Sequence, residues 1–258
     1  MNESSHWYSR TGAPAYEIRG AGGAMRATTL RDARKLALVP SVTTVLSVVA
    51  KPQLVAWQVK QGILAALTLP RIEGEAEDAY LARIKSDGEQ QVRDAADEGT
   101  RIHDAIEASF KGRPYPSQYQ PHVQAARDAL TAAFPGVHDW IAEASFAHQS
   151  GYGGKVDLHS PSTGIVVDWK GKDGDLSDGK KLAYDQHWQL AAYQDGLRLP
   201  RNVCANGFVS RTHPGKVALH IWSREEVEEG SVVFQRALAL WKAIKGFDAS
   251  FSTQEAAA

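Results

Sequence analysis

The chain has 258 residues, 43% of them hydrophobic and 23% charged, with a formal net charge of −1 at pH 7. That balance is ordinary for a globular protein able to bury a full core, and it excludes one that coats nucleic acid by bulk charge; any such binding has to come from a local groove and from cations. A single cysteine, Cys204, excludes an internal disulfide framework and a four-cysteine zinc or iron–sulfur site. No apolar run is long enough for a membrane span and the first residues carry no secretory h-region, so the expected setting is a reducing cytoplasm, with Cys204 a buried strand thiol.

Residues 1–39 read as an irregular, locally basic arm holding Trp7, Tyr8, Tyr16 and a small hairpin. Thr28-Thr29 cap a short helix with Asp32 in its first turn. Pro40 breaks the chain, and Ser41 caps a helix carrying Val45, Leu46 and Val49. The N–H groups around Ser41, Thr43 and Thr44 either suit a phosphate or simply start a capped core helix. A second helix covers 54–67. Residues 71–98 are helical in pattern, weakened by Gly74 and Gly88. Thr100 caps a further helix on which His103 and Glu107 lie four apart, where they either ligate a metal or hydrogen-bond each other. A helix over 119–134 stops at Pro135-Gly136. Residues 40–140 thus form a helical portion.

A strand over 140–146 opens the sheet-containing part, 141–246. Lys155-Val156-Asp157-Leu158 alternates polar and apolar as a half-buried strand, residues 160–164 (SPSTG) turn, and Ile165-Val166-Val167 reads as a strand buried on both faces. Period two puts Asp168 and Lys170 on one side and Trp169 on the other. Pairing this hairpin sets Asp157 beside Asp168. Two carboxylates so placed repel unless a cation lies between them, and hard oxygen donors suit Mg²⁺ or Mn²⁺. A lysine-rich loop, 171–181, precedes a helix over 184–197 with Gln189 and Tyr193 one turn apart. Strands over 203–209 and 216–221 and an amphipathic helix over 224–244 follow, with Val227, Phe234, Leu238 and Trp241 inward. Residues 247–258 are expected to fray. From residue 40 onward the chain is read as a single domain.

The Asp157, turn, β-branched strand and Asp168-Trp169-Lys170 order resembles the PD-(D/E)XK nuclease superfamily. Within it the chain is most similar to the RecB-like exonuclease branch, which includes phage recombination nucleases and the mitochondrial genome maintenance exonuclease. Gly99 to His103 matches its G-x-x-x-H element, Gly154 to Asp157 its G-x-x-D, Gln189 to Tyr193 its Q-L-x-x-Y helix, and Pro40 to Leu46 its P-S-V-T-T-x-L phrase. The resemblance covers about residues 40–195. It implies a mixed sheet flanked by helices, an α+β fold with a helical N-terminal portion over the active face. It implies a metal-dependent DNA exonuclease using one or two Mg²⁺ or Mn²⁺ ions and no iron–sulfur cluster. His103, Asp157, Asp168, the Trp169 backbone carbonyl and, ahead of the hairpin, Glu143 would hold metal. Lys170, Gln189 and Tyr193 would act on the phosphate or water, and Glu107 would orient His103. Ser41, Thr43, Thr44, Arg101, Lys155 and Lys172 are candidate nucleic-acid contacts. The implied partners are linear DNA with a free end and a recombination or single-strand-binding protein, with no membrane, in phage or bacterial recombination, replication or repair. A site-specific endonuclease on the same core and a non-cleaving DNA-end binder are the rivals.

Overall fold

Helix and turn chemistry already shapes the first third of the chain in the computed structural model, which describes residues 6–20, 22–177 and 182–252. Trp7–Tyr8 (β1) runs to a small hairpin of Glu17–Arg19 (β2) and Met25–Ala27 (β3). Leu30–Leu36 (α1) starts on a reciprocal capping box, Thr29 with Asp32. Val39–Pro40 (β4) pairs antiparallel with β1, and Trp7 is buried in the main core against Trp241. The arm is therefore stitched across the boundary expected at residue 39. Val42–Leu46 (α2) is capped by Ser41, whose hydroxyl accepts from the Thr44 N–H at 3.0 Å. It stops short of Val49, so it is a single tight turn and a half rather than the longer helix expected.

Pro52–Thr68 (α3) packs on Glu77–Phe110 (α4), a 34-residue helix. The expected break before Thr100 is absent: Thr100 lies in the helix interior and its hydroxyl donates back to the Ala96 carbonyl. Gly88 does not interrupt α4 because it is a crossing point; a Cβ there would meet the Gly62 backbone of α3 at 3.9 Å. The far side of α3 leaves Val55, Val59, Ile63 and Leu67 exposed. A single turn, Ser117–Tyr119, leads into Gln120–Ala133 (α5).

The sheet takes Ile141–His148 (β5), Tyr152–His159 (β6), Val166–Lys172 (β7), Cys204–Ser210 (β8) and Val217–Trp222 (β9) in the spatial order β5-β6-β7-β8-β9. All neighbours are antiparallel except β7 and β8, which run parallel. A parallel step needs a crossover, and His187–Gly196 (α6) supplies it. Arg224–Lys245 (α7) closes the fold between a Ser223/Glu226 capping box and Gly246 in the left-handed conformation at φ 54°.

Each sheet face has its own core. Val156, Val166, Cys204 and Phe208 pack with α2, α6 and α7; Val167, Trp169, Ala205 and Val209 pack with α4 and α5. The doubly buried Val166-Val167 run is what the β-branched sequence predicts. The expected α+β architecture, a mixed sheet between helices with a helical N-terminal portion, is what is observed. Cys204 is a buried free thiol, as expected. Among the described residues no helix is long and apolar enough to cross a membrane. The C-terminal expectation needs correction as far as residue 252: Phe247 packs on Trp7 and Trp241, Ala249 is buried, and the Phe251 N–H donates to the Gln149 carbonyl. Apolar burial docks this stretch. Residues 253–258 of the expected frayed tail, and 178–181 of the lysine-rich loop, lie outside the described residues.

Candidate active site

The β6–β7 hairpin places two carboxylates side by side and then comes apart at them. Its paired residues are Leu158 with Val167 and His159 with Val166, so Asp157 stands next in register to Asp168. At that point the ladder gives way: the Trp169 N–H donates to Asp157 Oδ2 at 2.9 Å. Strand β6 also turns over here, since Val156 packs in the α6/α7 core and Leu158, two residues on, in the α4/α5 core. Directly across β5, Glu143 adopts φ 61°, a left-handed backbone costly for a non-glycine residue and characteristic of functional sites.

Strand period sends Trp169 into the α4/α5 core, where its ring lies over Gly207; a Cβ there would meet the ring at 2.1 Å. Asp168 and Lys170 point the other way, toward α6. Lys170 Nζ donates to Asp168 Oδ2 at 2.7 Å and to Gln189 Oε1 at 3.4 Å. Gln189 Nε2 in turn donates to Asp168 Oδ1 at 3.2 Å and to the Tyr193 hydroxyl oxygen at 2.7 Å. The i, i+4 spacing on α6 is what lets Gln189 and Tyr193 meet. From α4, His103 Nδ1 stands 3.8 Å from Asp157 Oδ2. Four elements thus bring His103, Asp157, Asp168, Lys170, Gln189 and Tyr193 to one place.

Charge is crowded there. Burial and the like charge of Asp168 push the Asp157 carboxyl up to about 7. Burial and the nearby Lys170 ammonium push His103 down to about 4, leaving a neutral imidazole. Burial works against the Lys170 charge, but Asp168 and Asp157 hold its pKa above the ordinary lysine value. Burial, with the charge of Asp168, lifts Tyr193 far above the usual phenol range, so its hydroxyl keeps its proton.

The other expected residues are engaged with partners of their own or line the clefts. Glu143 is bound by Lys111, at 2.8 Å, and by Lys155; burial pushes its pKa up, but these hydrogen bonds win and hold it at about 2. Glu107 accepts from Lys111 at 2.8 Å rather than turning to His103. Ser41 and Thr44 are buried and bonded to each other at 2.8 Å, with Thr44 also holding the His6 N–H. Thr43 is exposed and, with Lys172, lines a cleft of about 790 Å³ that also includes Lys170 and Gln189. Arg101 pairs with Glu98 at 3.0 Å and lines a different cleft.

Asn206, its partner Trp222, and Lys111 escaped the sequence reading. Asn206 on β8, fully buried, donates to Asp168 Oδ2 at 3.1 Å and accepts from the Trp222 indole N–H at 2.8 Å. A lone Asn within an apolar strand run is uncommon and was a usable signal, because a buried amide needs partners. Lys111, four residues after Glu107, was legible as an ion pair but not as a bridge to Glu143.

Among the described residues no three His, Cys, Asp or Glu side chains form a ready-made metal cage. The donor chemistry nonetheless fits a hard divalent cation: two crowded carboxylates and a neutral imidazole, with Lys170 partly neutralising Asp168.

No family model matches the chain, and no curated protein matches it. Among solved structures it is similar to a protein from Eubacterium rectale provisionally named an exonuclease, at 10% identity and TM-score 0.42, over 58% of this chain and 68% of that one. It is also similar to SSO0001, at 12% identity and TM-score 0.30, over 71% and 86%. Likenesses this distant carry no argument about what the chain does.

Proposed function

We propose that the chain is a metal-dependent deoxyribonuclease that hydrolyses phosphodiester bonds, acting from the ends of linear DNA. The observation that carries this reading is the convergence of Asp157, Asp168 and Lys170 with His103, Gln189 and Tyr193, contributed by β6, β7, α4 and α6. Asp157, Asp168, His103 and the Trp169 carbonyl would hold Mg²⁺ or Mn²⁺. When bound, such an ion offsets phosphate charge and lowers the pKa of a coordinated water.

The chain's own residues do the rest. Lys170 presents an ammonium beside Asp168, suited to neutralise charge that builds on the phosphoryl oxygens. The protonated Tyr193 hydroxyl can donate to a phosphate oxygen, and Gln189 fixes its direction. The neutral His103 offers a lone pair rather than a competing charge. Water attacks phosphorus in line, the P–O bond to the departing 3′ oxygen breaks, and that oxygen takes a proton; the products are a 5′-phosphate and a 3′-hydroxyl. A recombination, replication or repair setting of phage or bacterial type follows from the resemblance in motifs, with a recombination or single-strand-binding protein as partner.

The test is degradation of end-labelled linear DNA in Mg²⁺, Mn²⁺ or EDTA, beside a circular control and Lys170→Ala. Metal-dependent shortening of linear DNA, lost in the variant, supports the reading. Cleavage of circles would replace the exonuclease with an endonuclease, and full activity in Lys170→Ala would remove the assignment.

A further inference from the structure

The cleft lined by Lys170 and Gln189 has two walls. One is made by α2, α3 and α4, the other by the end of β7 and the start of α6. Its lining carries five basic side chains and two acidic ones, on a chain whose net charge is −1. Lys51, at the start of α3, and Lys60, nine residues on and so roughly 13 Å further along the helix, line it from one wall, and Lys172 lines it from the other. Interleaved with them are aromatic rings: Trp57 from α3 faces the cleft from one wall, and Trp188 and Tyr184 from the other. Trp57 and Trp188 are partly exposed, and Tyr184 is 36% exposed.

We infer that this cleft is a track for a single, unpaired DNA strand, whose bases stack on Trp57 and Trp188 while Lys51, Lys60 and Lys172 follow its phosphates into the catalytic residues. The inference rests on the nuclease reading and adds its substrate class. Alternating lysines and aromatics are the two components of sequence-tolerant single-strand binding: charge tracks the backbone, and every base has a face to stack. A duplex matches the lysines but not the rings. Its bases already stack on each other and expose edges alone, so rings standing in a walled cleft would find no base face. The placement of Trp57 also gives α3 a role: it forms one wall while contributing little to the core, with Ala65 its one buried residue.

The experiment is binding of a 5′-labelled oligothymidylate and of a blunt duplex of equal length to the full chain in EDTA, followed by cleavage of both in Mn²⁺. It uses wild type, Trp57→Ala, Trp57→Phe and Lys60→Ala. The expected result is single-strand binding at least roughly tenfold tighter than duplex binding, weakened about tenfold by Trp57→Ala and kept by Trp57→Phe. Lys60→Ala should lower the salt dependence by about one ion. Equal or better duplex binding, with Trp57→Ala unchanged, overturns the inference and leaves the nuclease reading standing if duplex is cleaved. Single-strand binding with no cleavage in any metal sustains the track and removes the nuclease. Neither binding nor cleavage removes both.

Discussion

Asn206 donates its side-chain amide to Asp168 Oδ2 at 3.1 Å from the neighbouring parallel strand. The Trp222 indole, 2.8 Å from Asn206 Oδ1, decides which end of that amide faces Asp168. A buried carboxylate with Lys170, Gln189 and Asn206 all donating to it has little freedom to swing. Asn206→Ala should cost about 1–3 kcal/mol, because the Trp222 N–H is left buried without a partner. It should also lower kcat about tenfold with KM nearly unchanged, since Asp168 loses its orientation while substrate contacts remain. Urea unfolding and steady-state cleavage of linear DNA check this, and a well-folded variant with wild-type kcat would show that Asn206 is structural only.

A divalent ion held by Asp168 would compete with Lys170 for it. Mn²⁺ should therefore raise the melting temperature of wild type, and raise that of Lys170→Ala at least as much, because the ammonium no longer occupies Oδ2. Asp157→Ala and Asp168→Ala should lose the response. Calorimetry with and without Mn²⁺ reads all four proteins. A full Mn²⁺ response in Asp157→Ala would show that the ion sits elsewhere.

The two motif glycines should behave in opposite ways. A Cβ on Gly154 would meet Tyr193 Cε1 at 2.8 Å and the Phe146 ring at 3.0 Å, whereas a Cβ on Gly99 meets nothing within 4 Å. Gly154→Ala should displace the Tyr193 ring, lowering stability by about 1–3 kcal/mol and cutting cleavage. Gly99→Ala, in the middle of α4, should add about 0.5–1 kcal/mol of stability. Thermal melts decide both. If Gly99→Ala is stable yet slow, substrate rather than the fold claims the space beside it.

The turn that carries the hairpin depends on Asp139, which accepts from the Ser160 hydroxyl at 2.6 Å and from the Ser162 N–H at 2.8 Å. These bonds, the Ser160 one first, pull its carboxyl down to about 2. A depressed carboxylate stabilises the folded chain fully above its unfolded pKa of about 3.9, and the contribution fades as pH falls from about 4 toward 2. Asp139→Ala should therefore be less stable than wild type at pH 5 to 7, and the gap should close between pH 4 and 2. Denaturant midpoints at successive pH values measure it; a gap that stays constant down to pH 2 would mean the carboxylate charge is irrelevant to the turn.

Local rules determined much of this protein from its residues alone. Side-chain period two set Asp168 and Lys170 on one side of a strand and Trp169 on the other, and the hairpin register put Asp157 beside Asp168. The four-residue helical period aligned Gln189 with Tyr193 and placed His103 on a helix with Glu107. Caps at Thr29 and Ser41 began helices where their hydroxyls predict. What neighbours in space contribute was not legible in the same way. Gly88 reads as a weak point in a helix until α3 is seen to cross it at Gly62, and residues 247–252 read as a tail until Trp7 and Trp241 offer Phe247 a surface. Glu143 reads as an acid for metal and in the fold is paired with Lys111 and Lys155, and Ser41 and Thr44 read as phosphate donors and in the fold are bonded to each other. Apart from the Ser41–Thr44 bond, which spans three residues, each of these outcomes depends on a partner far away in the chain. Backbone periodicity fixes where a side chain points, whereas long-range packing decides what it meets, and only the folded chain brings Asn206, Trp222 and Asp168 within reach of one another.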